Sequence, residues 1–84
     1  MSLGFITGRV AADVSITKMG AVDTNGTYYV IQLLPAPPDW YFRPLTQGYY
    51  TIEVQYQKAG VAKKREEDTD VFKGRLSQVD FLDL

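Results

Sequence analysis

Two of the side chains that most often perform catalysis or bind metals are missing from this sequence. It contains no His and no Cys, so a catalytic triad lacks its usual base and no thiolate can hold a metal. The serines Ser2, Ser15 and Ser77 do not lie in a Gly-x-Ser-x-Gly elbow. No glycine-rich loop that could cradle a phosphate precedes a helical pattern. We therefore expect no enzyme activity and no cofactor.

One turn has part of the pattern of a calcium-binding loop. Asp23, Asn25 and Gly26 match its first oxygen ligands and its glycine only superficially, and the twelfth position, which should be glutamate, is Leu34. The same residues fit a hairpin turn that the Asp23 side chain stabilises by accepting backbone hydrogen bonds. Asn-Gly also favours positive φ at both central residues of a type I′ turn. We interpret 23–27 as such a turn and expect no metal site.

Aromatic residues between prolines form the best candidate for a binding site. Segment 33–44 contains all four prolines of the chain and the aromatic run Trp40, Tyr41 and Phe42, which Arg43 follows. Because prolines remove backbone donors, we predict a loop here rather than a helix or a central strand. Exposed rings on a stiffened loop suit a protein-binding or sugar-binding surface, since little entropy is lost on contact. The candidate contact residues are Trp40, Tyr41, Phe42 and Arg43.

A second role for the same loop stays open. Tyr29, Ile31 and Leu33 alternate on the predicted strand 28–34 and form a second apolar face. We expect that the main core cannot also bury this face, and large exposed apolar patches are uncommon in monomers. Either loop 33–44 folds back over these residues, or a partner or ligand covers them.

The apolar residues recur with the period of β-strands along the whole chain. The clearest strand is 49–57, in which Tyr50, Ile52, Val54 and Tyr56 alternate with polar residues, as expected for one buried face. Shorter strands are predicted at 5–10, 14–16, 28–34 and 78–81, with Phe81 pointing inward. A further turn is predicted at 58–60. Frequent turns without a helical window indicate a β-sandwich or a small barrel.

Size and charge narrow the possible functions. The chain has 84 residues, enough for one hydrophobic core, and its formal charge of −1 gives no strong field for nucleic acid or anionic lipid. The basic run 63–65 is followed directly by acids and is typical of a solvated hairpin or edge. No apolar run approaches the ~18 residues that span a membrane, and no signal peptide is visible. We expect one domain over 1–84 and no membrane insertion.

Five segments, in order, carry a resemblance to a known family. They are 6–10 with a glycine between apolar residues, the alanine-led 12–16, the Asp-Thr-Asn-Gly-Thr-Tyr turn within 22–28, Leu45 followed by the Gly-Tyr strand 48–54, and the closing strand 79–82. Together they resemble the carboxypeptidase regulatory-like domain, a transthyretin-like (prealbumin-like), seven-stranded, Greek-key β-sandwich. The family's usual Gly-x-Pro-Leu-x-Gly connection is absent, so we expect a very short loop between the first two strands.

The resemblance implies a function as well as a fold. Domains of this family are non-catalytic accessory, structural or protein-interaction modules, and they occur in secreted or cell-surface multidomain proteins. It therefore implies an extracellular location and, as partners, neighbouring domains of the same chain or another protein. Met1-Ser2-Leu3 resembles a cloning remnant, which fits a domain excised from a larger surface protein. Two alternatives are a carbohydrate-binding, starch-binding-like module that contacts glycan through 33–44, and a subunit of a phage or pilus assembly.

Overall fold

The computed structural model describes residues 3–35 and 39–84, and the strands in this part of the chain form two sheets. They are β1 Leu3–Arg9, β2 Ser15–Asp23, β3 Tyr28–Val30, β4 Trp40–Thr46, β5 Gly48–Lys58, β6 Val61–Val71 and β7 Leu76–Gln78. One sheet has the order β4-β1-β7, and the other has the order β3-β2-β5-β6. β7 runs parallel to β1, whereas the other pairings are antiparallel. The prediction of an all-β, two-sheet protein with seven strands is confirmed.

The core lies between the two sheets and follows the predicted alternation. On β5, Tyr50, Ile52, Val54 and Tyr56 are buried, while the residues between them are half-buried or exposed. Ile6 on β1 and Val10 just after β1 belong to the same buried cluster, as does Phe81. Because side chains of successive residues point to opposite faces of a strand, each sheet also has an outer face, turned away from this core. Those two outer faces differ in composition.

Gly8 leaves room for the backbone of Val79, which lies against β1. A Cβ atom on Gly8 would overlap the backbone carbonyl of Val79, and Gly8 itself is buried. Val79 donates its amide to the Thr7 carbonyl at 2.8 Å, and the Phe81 amide donates to Arg9 at 2.7 Å. The inward position of Phe81 is confirmed. The short loop expected between the first two strands is confirmed too, since residues 10–14 alone connect β1 to β2.

The hairpin at Asn25-Gly26 does not have the turn type that was predicted for it. Gly26 has φ +84°, but Asn25 is not among the residues with positive φ, and the Asp23 amide donates to the Thr27 carbonyl. The loop therefore has three residues and ends in a left-handed glycine, rather than being the two-residue type I′ turn predicted. Ala59 and Gly60, with φ of +52° and +79°, instead have the positive pair that type I′ requires. The turn predicted at 58–60 is confirmed.

Loop 33–44 was predicted wrongly over its second half. Residues from Trp40 onward form β4, which pairs with β1 along its full length, whereas 36–38 lie outside the described residues. Pro44 is accommodated because β4 is an edge strand. Its partner Phe5 donates its amide to Arg75 on the opposite side of β1, so the nitrogen of Pro44 faces away from the ladder. No ladder hydrogen bond is lost.

Candidate functional site

The aromatic run falls on a strand, and its three rings therefore point to opposite faces of the sheet. Tyr41 is completely buried in the core, and its hydroxyl donates to the Val79 carbonyl. Burial raises the pKa of this hydroxyl. Trp40 and Phe42 point to the outer face, where Trp40 is half-buried and Phe42 is 43% exposed. Of the three predicted contact rings, the structure makes two available and assigns Tyr41 to the core.

Arg43 closes the gap between the two sheets at one edge of the molecule. Its Nε donates to the Val30 carbonyl on β3 at 3.2 Å, and its Nη1 donates to the Pro44 carbonyl at 3.0 Å. The guanidinium carbon lies 5.9 Å from the centre of the Tyr29 ring. β3 and β4 are the edge strands on this side of their sheets. Arg43 therefore links them, which is a structural role that its position in the aromatic run did not indicate.

Much of the outer face of the three-stranded sheet is apolar, and the polar residues Thr7 and Gln78 share that face. The register of the sheet aligns Phe5 with Pro44 on one side and with Leu76 on the other. The ring of Phe5 stacks on that of Phe42, with centroids 5.3 Å apart and planes at 22°. We call this surface the aromatic face, formed by Phe5, Trp40, Phe42, Pro44 and Leu76.

This apolar composition is unusual for the free face of a sheet. Leu76 is 60% exposed at one side of the aromatic face, and Leu3 is also exposed at the end of β1. The Arg9 guanidinium lies 5.6 Å from the Trp40 ring and adds a charge at the other end. An outer face that meets only water normally carries polar residues.

A groove continues the aromatic face around the β4 edge. It has a volume of about 410 Å³ and is lined by Val30, Gln32, Leu33, Leu34, Pro35, Phe42 and Arg43. We call it the edge groove. Val30 is 59% exposed, and Leu33, Leu34 and Phe42 are exposed as well. Because Phe42 belongs to both surfaces, the aromatic face and the edge groove form one apolar area.

The core covers Tyr29 and Ile31, whereas Leu33 remains exposed. Ile31 is a core residue and Tyr29 packs against that core, its ring 6.0 Å from the Tyr50 ring at 73°. The expectation that the main core cannot bury them is wrong, because Tyr29 on β3 and Ile31 just after β3 both contact the main core. Leu33 forms an isolated bridge with Tyr41 and stays exposed in the edge groove.

The Asp23 turn is held by its own side chain. Oδ1 of Asp23 accepts the amides of Asn25 and Thr27, each at 2.9 Å, and Oδ2 accepts the Tyr29 hydroxyl at 3.1 Å. The Thr27 amide, followed by Asn25 and Tyr29, holds the pKa of this carboxyl below its ordinary value. The interpretation as a side-chain-stabilised turn is confirmed. Within 3–35 and 39–84, no group of three acidic side chains lies close enough together to hold a metal ion.

Sequence reasoning missed Phe5 and Leu76 as surface residues. Phe5 is out of phase with the buried Ile6 and Val10, which was the available signal for an outward ring. No local signal identified Leu76, because its role depends on the parallel pairing of β7 with β1.

In the part of the chain that the structure describes, no helix is long and apolar enough to cross a membrane. No protein-family model, curated protein or solved structure matches this chain.

Proposed function

We propose that this chain is a non-catalytic protein-interaction module of a larger secreted or cell-surface protein, and that the aromatic face is its contact surface. The partner is a neighbouring domain of the same protein or another protein with a complementary apolar surface. The single observation that carries this proposal is the aromatic face itself. Phe5, Phe42 and Leu76 stand together on the outside of a sheet, where water would otherwise contact them.

The fold supports the carboxypeptidase regulatory-like assignment on which the location depends. β2 pairs with β5 and β1 pairs with β4, so strands distant in sequence are neighbours. The links between β1 and β2, β3 and β4, β4 and β5, and β6 and β7 each pass from one sheet to the other. Such crossing connections are typical of Greek-key sandwiches rather than of meanders. They favour the seven-stranded, transthyretin-like topology that the sequence resemblance implies.

The composition of the apolar area favours a protein partner. Aromatic rings are enriched at the centres of protein interfaces, because a ring buries a large area at a small cost in side-chain entropy. The stacking of Phe5 on Phe42 fixes both rings before any contact is made, which lowers that cost further. Arg9 at the Trp40 end gives a polar rim. A hydrophobic centre with a polar margin is the usual anatomy of an interface.

Carbohydrate binding is the weaker alternative. It was expected to use neighbouring exposed rings at Trp40 and Tyr41, and Tyr41 offers no face because it is buried. Trp40 is half-buried, with the Arg9 guanidinium 5.6 Å from its ring. The observed surface therefore favours a protein partner over a sugar.

Site-specific photo-crosslinking tests this proposal with a matched control. A photoreactive phenylalanine derivative replaces Phe42 in one sample and Tyr49 in another, within the protein in its source cells. Tyr49 is 47% exposed, about as much as Phe42, but it lies on the outer face of the other sheet. We expect crosslinks to a defined protein segment from position 42 and none from position 49. Equal labelling at both positions, or none at 42, would refute the proposal.

A further inference from the structure

The outer edge of β6 is the longest unpaired strand edge among the described residues. β6 covers Val61–Val71 and pairs with β5 along its whole length, but no described strand pairs with its other side. The Asp70 carbonyl accepts a hydrogen bond from Ser77 Oγ at 2.8 Å, so the Asp70 backbone points away from β5. Backbone direction alternates along a strand, so Lys64, Glu66 and Asp68 share this outward direction. Their N–H and C=O groups are therefore directed outward, where another strand could pair with them.

The charges on this strand are separated by sign. The first half carries Lys63, Lys64 and Arg65, and the second half carries Glu66, Glu67, Asp68 and Asp70. Isolated charges usually protect an edge strand from pairing with other strands. Here, however, a two-fold axis would place the basic half of one copy against the acidic half of another. A strand with this pattern repels a parallel copy and attracts an antiparallel one.

We propose that β6 pairs with β6 of a second copy of this chain, antiparallel and with the two-fold axis at Glu66. Glu66 is the midpoint of Val61–Val71, so this register alone aligns the two strands over their full length. At the acidic end the Asp70 carbonyl already accepts a hydrogen bond from Ser77, so the backbone pairing between the copies runs from Lys63 to Thr69. It sets Lys64 opposite Asp68 of the second copy on the outer face. It sets Arg65 opposite Glu67 of the second copy on the other face. The two four-stranded sheets then become one continuous sheet.

The charges that meet in this register have only exposed contacts within their own copy. Asp68 accepts the Thr51 hydroxyl at 2.7 Å, and Arg65 Nη2 lies 2.7 Å from Asp83. The Lys64 side chain is about half exposed, and its Nζ lies 3.6 Å from Glu53 and 3.7 Å from Glu66 of the same copy. These exposed contacts hold the side chain weakly. The two Glu66 side chains face each other at the axis, with Lys64 of each copy diagonally beside them. This surface is separate from the aromatic face, so the dimer goes beyond the proposed function and can be tested independently of it.

Charge reversal gives the sharpest test, because mixing two variants that each weaken the dimer should restore it. In a dimer of the Lys64→Glu variant, Glu at position 64 of one copy faces Asp68 of the other. In a dimer of the Asp68→Lys variant, Lys at position 68 of one copy faces Lys64 of the other. Each variant alone should dimerise roughly tenfold or more weakly than wild type in sedimentation experiments up to about 1 mM, since two cross-strand pairs become repulsive. An equimolar mixture should form the heterodimer at wild-type strength, because both pairs are again opposite in sign. Lys63→Glu is the matched control, since Lys63 faces the uncharged Thr69.

Disulfide trapping fixes the register. The chain has no native Cys, so Glu66→Cys supplies a single thiol. Residues opposite each other in a hydrogen-bonded antiparallel pair have Cα atoms about 5.5 Å apart, within disulfide range. We expect rapid oxidation to a covalent dimer for Glu66→Cys and none for the control Lys63→Cys. A wild-type chain that stays monomeric at about 1 mM would overturn the proposal. So would a dimer that tolerates both charge reversals, or one that Phe42→Ser disrupts and Lys64→Glu does not.

Discussion

The outer faces of the two sheets differ in polarity. On the four-stranded sheet, Glu53 and Lys64 are 3.6 Å apart, and the Thr51 hydroxyl donates to Asp68 at 2.7 Å. On the three-stranded sheet, the corresponding positions carry Phe5, Phe42 and Leu76. Each sheet buries its other face in the shared core. The packing of that core therefore does not require the two outer faces to differ.

This difference separates residues that maintain the fold from residues that are available for contact. A charged outer face is already satisfied by water and by exposed ion pairs, which contribute little to stability. An aromatic outer face gains free energy only when another surface covers it. Substitutions of neighbouring residues should therefore separate the two roles.

Tyr41 and Phe42 are adjacent on β4 but should differ most in their effect on stability. Tyr41→Ala removes a fully buried ring and should lower the free energy of unfolding by about 3–5 kcal/mol. Phe42→Ala loses mainly the stacking on Phe5, worth about 0.5–1.5 kcal/mol. Denaturant unfolding of both variants measures the difference. Equal losses would mean that Phe42 is part of the core and that the aromatic face is structural.

Val54 and Glu53 make the same comparison on the other sheet. Val54→Ala removes two buried methyl groups and should cost about 1.5–3 kcal/mol. Glu53→Ala, on the outer face, should stay within roughly 0.5 kcal/mol of wild type. Thermal melts of the two variants at equal concentration provide the measurement. Reversed sensitivities would show that β5 faces the opposite way.

These residues also show how far sequence alone could reach. Alternation on β5 predicted the burial of Tyr50, Ile52 and Val54 correctly, because one buried face imposes a period of two. The prolines of 33–44 concealed β4, since proline opposes a central strand but is accepted on an edge with its nitrogen outward. Edge position depends on the pairing of β4 with β1, which connects residues as far apart along the chain as Leu3 and Thr46.

The site was less predictable than the fold for the same reason. Trp40 and Phe42 were identified by their residue type, but Tyr41 was grouped with them because a loop was assumed instead of a strand. Leu76 joins the aromatic face through β7, a three-residue strand whose pairing is parallel and non-local. Arg43 was assigned to the binding surface, whereas its contacts with Val30 and Pro44 tie two edges together. Local sequence patterns do not encode such cross-sheet contacts.

The polar outer face and the turns near it should lose stabilisation in acid. The Thr27 amide lowers the pKa of Asp23, the Thr51 hydroxyl lowers that of Asp68, and Arg65 lowers that of Asp83. A carboxyl whose pKa is lower in the folded state stabilises the protein above its unfolded pKa of about 3.9. That stabilisation is lost as the pH falls through the folded value. Melting temperatures measured from pH 6 to 2 should decrease, and Asp23→Asn should flatten the decrease; an unchanged slope would contradict the role of the turn.

The aromatic face should bind a hydrophobic dye without unfolding. Phe42→Ser should lower the fluorescence of a bound apolar dye while the melting temperature changes by only a few degrees, because the ring is exposed. Tyr49→Ser is the control, since its ring is about as exposed but lies beside the acidic residues Asp68 and Asp70. Equal dye loss in both variants would show that the two outer faces do not differ in apolar character.

Covalent footprinting of the aromatic residues tests the central claim most directly. Hydroxyl radicals would label Phe5, Trp40, Phe42 and Tyr49 in the isolated chain and in the protein within its source cells, with mass spectrometry reporting each site. If the aromatic face is a contact surface, labelling of Phe5, Trp40 and Phe42 falls in the cellular sample while that of Tyr49 stays the same. Full labelling of the aromatic face together with protection of Tyr49 would contradict the account, because the charged sheet would then be the surface that a partner covers.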